Sequence, residues 1–210
     1  MWKRIAFRLA DSGVERRKCL YLFDFRNASK SDSLVGSPHW KPWSDSKLGG
    51  SSTSNWTLSE DDDGKAIFSG KTSLEHSTSM TRSGFCAVNS DVPWHLQKVD
   101  NFDAIQLRLK LDHRKYTFNV DPQTYLGDDL YQGFLVVPPE KQNKWVTATL
   151  PYENFLLTGR GRPKETQRIF DQHVMTGIGL SIQDQDEGDF RLEVQWVRVI
   201  NSVIFDADSL

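Results

Sequence analysis

Cysteine is scarce. The chain has two in 210 residues, Cys19 and Cys86, too few for a disulfide framework or a four-thiolate metal site, and a pattern that fits a reducing compartment. The five histidines, His39, His76, His95, His113 and His173, fall in neither HxH nor HExxH spacing, so they read as scattered loop residues rather than metal ligands. No GxSxG elbow, Walker loop or dinucleotide glycine fingerprint occurs, which removes the usual signatures of serine hydrolases, nucleotidases and nicotinamide enzymes. No apolar run approaches the roughly 20 residues of a membrane-spanning helix. A net charge of -2 provides no global field to draw in nucleic acid or acidic lipid. Helical periodicity is also missing beyond residues 1–18. Without crossover helices a parallel α/β sheet is not expected, and no repeat recurs at a fixed period.

What is present is alternation. In FDAIQLRLKLD (102–112), Ile105, Leu107, Leu109 and Leu111 face one way while Gln106, Arg108 and Lys110 face the other, the period of a half-buried strand. Tyr116, Phe118 and Val120 continue it after a turn. Residues 177–200 hold two further runs: Ile178, Leu180 and Ile182, then Phe190, Leu192, Val194 and Trp196. The polar insert 183–189 between them reads as a hairpin turn, making the pair the centre of one antiparallel sheet. The phase slips after Trp196, where Val197 and Val199 are also apolar, and a bulge or burial on both faces explains the slip. Shorter strands are expected at 20–25, 51–58, 65–71 (Ile67 and Phe68 inside), 83–90, 130–137 and 145–150, with one helical turn near 151–157 and a basic Gly/Pro loop at 158–167. Many short strands in 210 residues, 38% of them hydrophobic, predict an all-β fold, a jelly-roll-type antiparallel β-sandwich. Residues 1–19 form a basic segment with Trp2, Ile5 and Leu9 at helical spacing, read as a short helix or targeting remnant. Residues 20–200 form the sandwich, and 201–210 a tail.

Candidate chemistry is sparse. Cys86 alternates inside a strand and reads as a buried structural thiol. Asp184, Asp186, Glu187 and Asp189 offer a fragment of a calcium loop without its full ligand set, so a solvated turn is expected there. Arg160 and Arg162, in TGRGRP, suit a carboxylate, a phosphate or a partner protein equally. Trp40, Trp43, Trp56 and Trp94 lie in or beside loops, where they either plug the ends of the core or anchor a ligand.

Several segments together resemble the complex I intermediate-associated protein 30 family: SDSKLGGSS (44–52), FSG (68–70), TRSGFCAV (81–88), FDAIQLRLK (102–110), WVTATLPYENF (145–155), TGRGRP (158–163) and 177–199. The resemblance implies a galactose-binding-like jelly roll related to carbohydrate-binding modules, acting as an assembly factor for mitochondrial respiratory complex I. It further implies a matrix location, peripheral to the inner membrane through the partner complex. The implied partners are membrane-arm assembly intermediates and other assembly factors, with no nucleic acid. No catalytic residues, cofactor or metal are implied, and the chain is expected not to be an enzyme. Arg82, Arg160, Arg162 and Trp43 are the expected partner-binding residues. The alternative expectation is a carbohydrate-binding module-like domain that uses loop tryptophans.

Overall fold

The alternating runs become strands because each can bury one side only against another sheet. The computed structural model describes residues 19–26, 39–59, 64–75, 83–123, 127–170 and 174–202; the expected N-terminal helix and Arg82 lie outside them. The strands are β1 (Cys19–Asp24), β2 (Lys41–Ser44), β3 (Thr53–Leu58), β4 (Ala66–Thr72), β5 (Cys86–Asp91), β6 (Ala104–Leu111), β7 (Tyr116–Pro122), β8 (Asp129–Leu135), β9 (Trp145–Pro151), β10 (Leu156–Gly159), β11 (Arg162–Pro163), β12 (Met175–Ile182) and β13 (Gly188–Ile200). One sheet, A, runs β3-β4-β13-β6-β9, with β1 also paired to β13; the other, B, runs β11-β10-β8-β7-β12-β5-β2. All the pairings are antiparallel. On β13, β6 takes one edge while β4 (residues 188–194) and β1 (residues 196–200) share the other in tandem. The jelly-roll sandwich expected from the alternation is the fold.

The two inner faces close on each other. Leu107, Leu109, Leu192 and Val194 of sheet A share one buried cluster with Phe118, Val120, Ile178 and Leu180 of sheet B. Each such side chain contributes about 1.5–3 kcal/mol through removal from water. Beside this cluster Phe23, Phe25, Trp40 and Trp56 form an aromatic block, with Trp40 and Trp56 stacked at 4.4 Å. Those two tryptophans plug the core. Trp94, 84% exposed, does not.

Of three sequence readings, the first and third are corrected and the second is resolved between its two alternatives. Residues 183–189 are not a hairpin turn, because β12 lies in sheet B and β13 in sheet A; the segment is an arch between layers. Its agent is Arg114, whose guanidinium donates to Asp184 Oδ2 (2.8 Å) and Oδ1 (2.7 Å), to the Gly188 and Asp189 carbonyls and to Thr72 Oγ1. The arch is therefore pinned, not solvated, at Asp184. Burial alone would push that carboxyl up, but the bonds from Arg114 and from the Lys115 and Asp186 N–H groups together hold it below its ordinary range. Second, the register of β13 against β6 shifts between Val194 and Trp196. This bulge is the source of the phase slip. It turns Trp196 outward beside Arg198, whose guanidinium lies 4.6 Å from the indole centre, and sends Val197 and Val199 into the core. Third, Ala66 and Phe68 fill the inner face of β4, whereas Ile67 is only half-buried and pairs with Thr57 and the outward Glu193.

Candidate functional site

The outer face of sheet B carries a groove whose floor is set by β12. Between its inward Ile178, Leu180 and Ile182, this strand turns outward Gly177, Gly179 and Ser181. Registration places Gly177 between Asp91 and Asp121, Gly179 between Asn89 and Asn119, and Ser181 between Ala87 and Thr117. A strand interior with alternate glycines marks a place where something approaches the backbone. At Gly177 the approach is visible: a Cβ there would lie 2.7 Å from Asp121 Oδ2. The floor is ordered by side-chain amides, with Gln132 Nε2 donating to Asn119 Oδ1 at 3.0 Å and Asn119 Nδ2 donating to Ser181 Oγ at 3.0 Å.

The banks are apolar. Trp43 on β2 and Phe85 meet edge to face at 5.0 Å, and Leu130 on β8 stands opposite. Trp43, Phe85, Asn89, Asn119, Asp121 and Leu130 line one cavity of about 190 Å³. On a flat sheet Trp43 and Leu130, four strand spacings apart, would be separated by about 19 Å; sharing a cavity means that this face is concave. A second, separate cavity of about 340 Å³ lies at the end of β5 and is lined by Asp91, Pro93, Trp94 and His95 among others. No ion pair among the described residues engages Asp91 or Asp121. Burial, and then the charge of Asp91, push the Asp121 carboxyl up.

A buried carboxylate holds the aromatic bank. Asp45, 2% exposed, accepts from Ser52 N (3.0 Å), Ser52 Oγ (3.0 Å), Gly84 N (2.7 Å) and Phe85 N (3.1 Å). Its own N–H donates to the Phe85 carbonyl. Two motifs far apart in sequence, SDSKLGGSS and the SGF of TRSGFCAV, are thus one hydrogen-bonded unit. The short segment between β2 and β3 reverses through Gly49 in the left-handed region (φ 99°), and Gly50 packs where a Cβ would lie 2.4 Å from Asp45 Oδ1. Through Asp45 this unit sets Trp43, two residues upstream, against Phe85. Cys86 lies beneath, fully buried, and burial pushes its thiol up to about 12.

Of the residues singled out from sequence, Trp43 lines the groove. Arg160 and Arg162 do not: they sit on the β10–β11 hairpin at the opposite edge of sheet B, with five strands between β11 and β2. The expected basic loop is this tight hairpin, turned by Arg160 (φ 52°) and Gly161 (φ 71°). Arg160, its side chain 86% exposed, meets Asp128 at 2.8 Å, and Lys164 pairs with Asp129. Sequence reasoning passed over Asn89, Asp91, Asn119 and Asp121. The available signal was Gly177 and Gly179 alternating with core residues, which marks the groove floor and, through register, its flanks.

Comparison with known proteins agrees with this architecture. The family model described as complex I intermediate-associated protein 30 matches residues 23–194. The protein named complex I intermediate-associated protein 30, mitochondrial, of Neurospora crassa is 29% identical over 139 residues, covering 62% of this chain and 49% of that one. Its mouse namesake is 23% identical over 170 residues, covering 76% and 51%. The chain thus spans about half the length of these relatives. Among solved structures, a family 11 carbohydrate-binding module of a cellulosomal cellulase of Clostridium thermocellum superposes with a TM-score of 0.59 at 13% identity, covering 87% of this chain and 94% of that one, a likeness of fold alone. The match across 23–194 takes in both halves of the Asp45 unit, the groove floor and most of both sheets, and on it the chain belongs to the complex I intermediate-associated protein 30 family.

Proposed function

We propose that this domain serves the assembly of mitochondrial respiratory complex I as a binding protein rather than an enzyme, holding a membrane-arm intermediate until later subunits arrive. The observation that carries the reading is the family match over residues 23–194, together with relatives whose names place them in mitochondria and with complex I intermediates. A rigid sandwich suits the task. Its core is set by packing, so its concave face presents a fixed shape, and it need only bind the intermediate more tightly than the finished complex to be released on completion. On this reading the domain works in the matrix, held at the inner membrane by its partner complex. The groove with Trp43 is the main contact, and the β10–β11 hairpin with Arg160 and Arg162, together with Arg82, forms further contacts. The test is deletion of the gene followed by native gels of respiratory complexes. Loss of mature complex I with accumulation of a smaller subassembly is expected. Normal complex I in the deletion strain refutes the proposal.

A second reading rests on the side-by-side placement of Trp43, Phe85 and the Asn89 and Asn119 carboxamides, a combination able to stack on and hydrogen-bond a sugar. Titration of a glycan panel against tryptophan fluorescence distinguishes it: saturable quenching by a neutral oligosaccharide would favour this reading over the first.

A further inference from the structure

Two carboxylates flank a strand that has no side chain between them. Asp91 and Asp121 are the cross-strand neighbours of Gly177 on either side, and the Asp121 carboxylate leans close over that glycine. Neither carboxylate has a cation among the described residues. Several acids elsewhere on the domain do have cations: Asp184 with Arg114, Asp128 with Arg160, Asp129 with Lys164, and Glu193 with Arg191, Lys65 and Lys110. A half-buried anion beside a second anion lowers the stability of the fold at neutral pH, since both desolvation and like charge act against it. Such an arrangement is typical of a site kept for a ligand.

The surroundings specify what the ligand brings. At Gly177 the Asp121 carboxylate takes the space a side chain would fill, and at Gly179 a Cβ would lie 2.8 Å from the Val88 carbonyl, so the floor carries no side chain of its own at either position. Asn89 and Asn119, one on each side of Gly179, each carry a carboxamide, and side-chain amides of this kind pair with peptide groups. Trp43, Phe85 and Leu130 offer apolar contact upstream, and the exposed Trp94 stands past the far end of β5. A neutral sugar would leave the two negative charges as they were; a lysine or arginine would neutralise them. We infer that the groove along β5 and β12 receives an extended segment of a partner protein and seats a lysine or arginine side chain of that segment between Asp91 and Asp121.

The inference deepens the assembly-factor reading and rests on it only for the partner's identity. Its test uses the full chain and three probes: a fluorescent octapeptide of alternating alanine and lysine, its alanine–glutamate counterpart, and a neutral β-linked glucose tetrasaccharide. Wild type is expected to bind the lysine peptide, more weakly at high salt, and to bind neither of the others. The Asp91→Asn/Asp121→Asn variant is expected to remain folded by near-ultraviolet circular dichroism and to lose affinity by about tenfold or more. Glu140→Gln removes one negative charge from an exposed 3-10 turn outside the groove and is expected to bind as wild type. Binding of the lysine peptide by the double variant at wild-type strength overturns the inference. So does binding of the tetrasaccharide without the lysine peptide. In cells the two proposals separate. If deletion abolishes complex I and the double variant restores it fully, this inference fails and the assembly role stands. If deletion leaves complex I intact, the assembly role fails, and the peptide titration still decides the groove.

Discussion

Asp45→Asn is the substitution that reaches furthest into this domain. It changes one atom in size-neutral fashion, yet the Asp45 carboxylate is buried and takes four hydrogen bonds, three of them from the backbone N–H groups of Ser52, Gly84 and Phe85. An asparagine has one acceptor oxygen. If that oxygen keeps the Oδ2 position, it retains Ser52 Oγ, Gly84 and Phe85 and turns an N–H group toward Ser52 N–H. The orphaned donor costs about 1–3 kcal/mol, and the remaining three bonds drop from charge-assisted to neutral strength, a further loss of roughly 2 kcal/mol in total. The opposite flip sets an N–H group against three donors and is worse. A loss of about 3–5 kcal/mol corresponds to a Tm lower by roughly 6–20 °C for a domain of this size. Ser52→Ala removes one of the four Asp45 bonds, leaves the carboxylate, and also orphans the buried Ser73 N–H that donates to Ser52 Oγ, so a loss of about 2–4 kcal/mol is expected. Thermal unfolding followed by tryptophan fluorescence reads both. A near-ultraviolet spectrum would also register loosening of Trp43 against Phe85. A Tm for Asp45→Asn within about 2 °C of wild type would refute the assignment of Asp45 as the residue that joins the two motifs.

Removing Arg114 alone, as Arg114→Met, leaves Asp184 buried without its cation and is expected to cost about 3–5 kcal/mol, whereas Arg114→Met combined with Asp184→Asn is milder; a urea double-mutant cycle checks the coupling. The folded-state carboxyl of Asp184, and that of Asp24 beside Arg26, lie below the ordinary value of 3.8. Their stabilisation is therefore complete above about pH 4 and is lost as pH falls through the depressed values, which Tm measured against pH in the wild type and in the Arg114→Met/Asp184→Asn variant would register. Asp121 runs the other way. Its raised carboxyl takes up a proton more readily folded than unfolded, so its penalty appears as pH rises through the raised value, and Asp121→Asn is expected to hold or increase Tm at neutral pH. Because Cys86 is fully buried and pushed up to about 12, a maleimide reagent is expected to label Cys19 alone in the native protein and both thiols in urea; modification of Cys86 without unfolding would contradict its placement.

The parts legible in the sequence were those fixed by period. Leu107, Leu109, Leu192 and Val194 announced themselves by alternation, and the slip at Trp196 pointed to the bulge, because a pleat of period two cannot hide an added residue. Layer membership was not legible. Nothing in residues 183–189 distinguishes a hairpin from an arch, since the deciding group, Arg114, lies on a different connection some seventy residues upstream. The groove was half legible. Trp43 was visible as a loop tryptophan, but Asp91 and Asp121 become neighbours of one glycine only through the registers of β5 and β7 on β12, and register is a tertiary property. Arg160 and Arg162 shared a basic cluster in sequence and share no groove in space. A tight turn puts both at the sheet edge, where water competes for them.

The last two strands to be synthesised, β12 and β13, form the interior spines of their respective sheets, and Cys19 in β1 finds its partner in Ile200. A nascent chain emerging from a ribosome, or threading N-terminus first through an import pore, thus shows its borders before its midlines. Up to residue 174 the pairs β3–β4, β2–β5, β6–β9 and β7–β8 can form, but nothing yet joins β4 to β6 in one sheet or β5 to β7 in the other. Such late closure makes folding slow, because long loops must close before any contact rewards them. It also means that the concave face, whose floor is β12, comes into existence only when the domain is nearly whole. On the reading proposed above, a half-made copy has no groove to offer a partner.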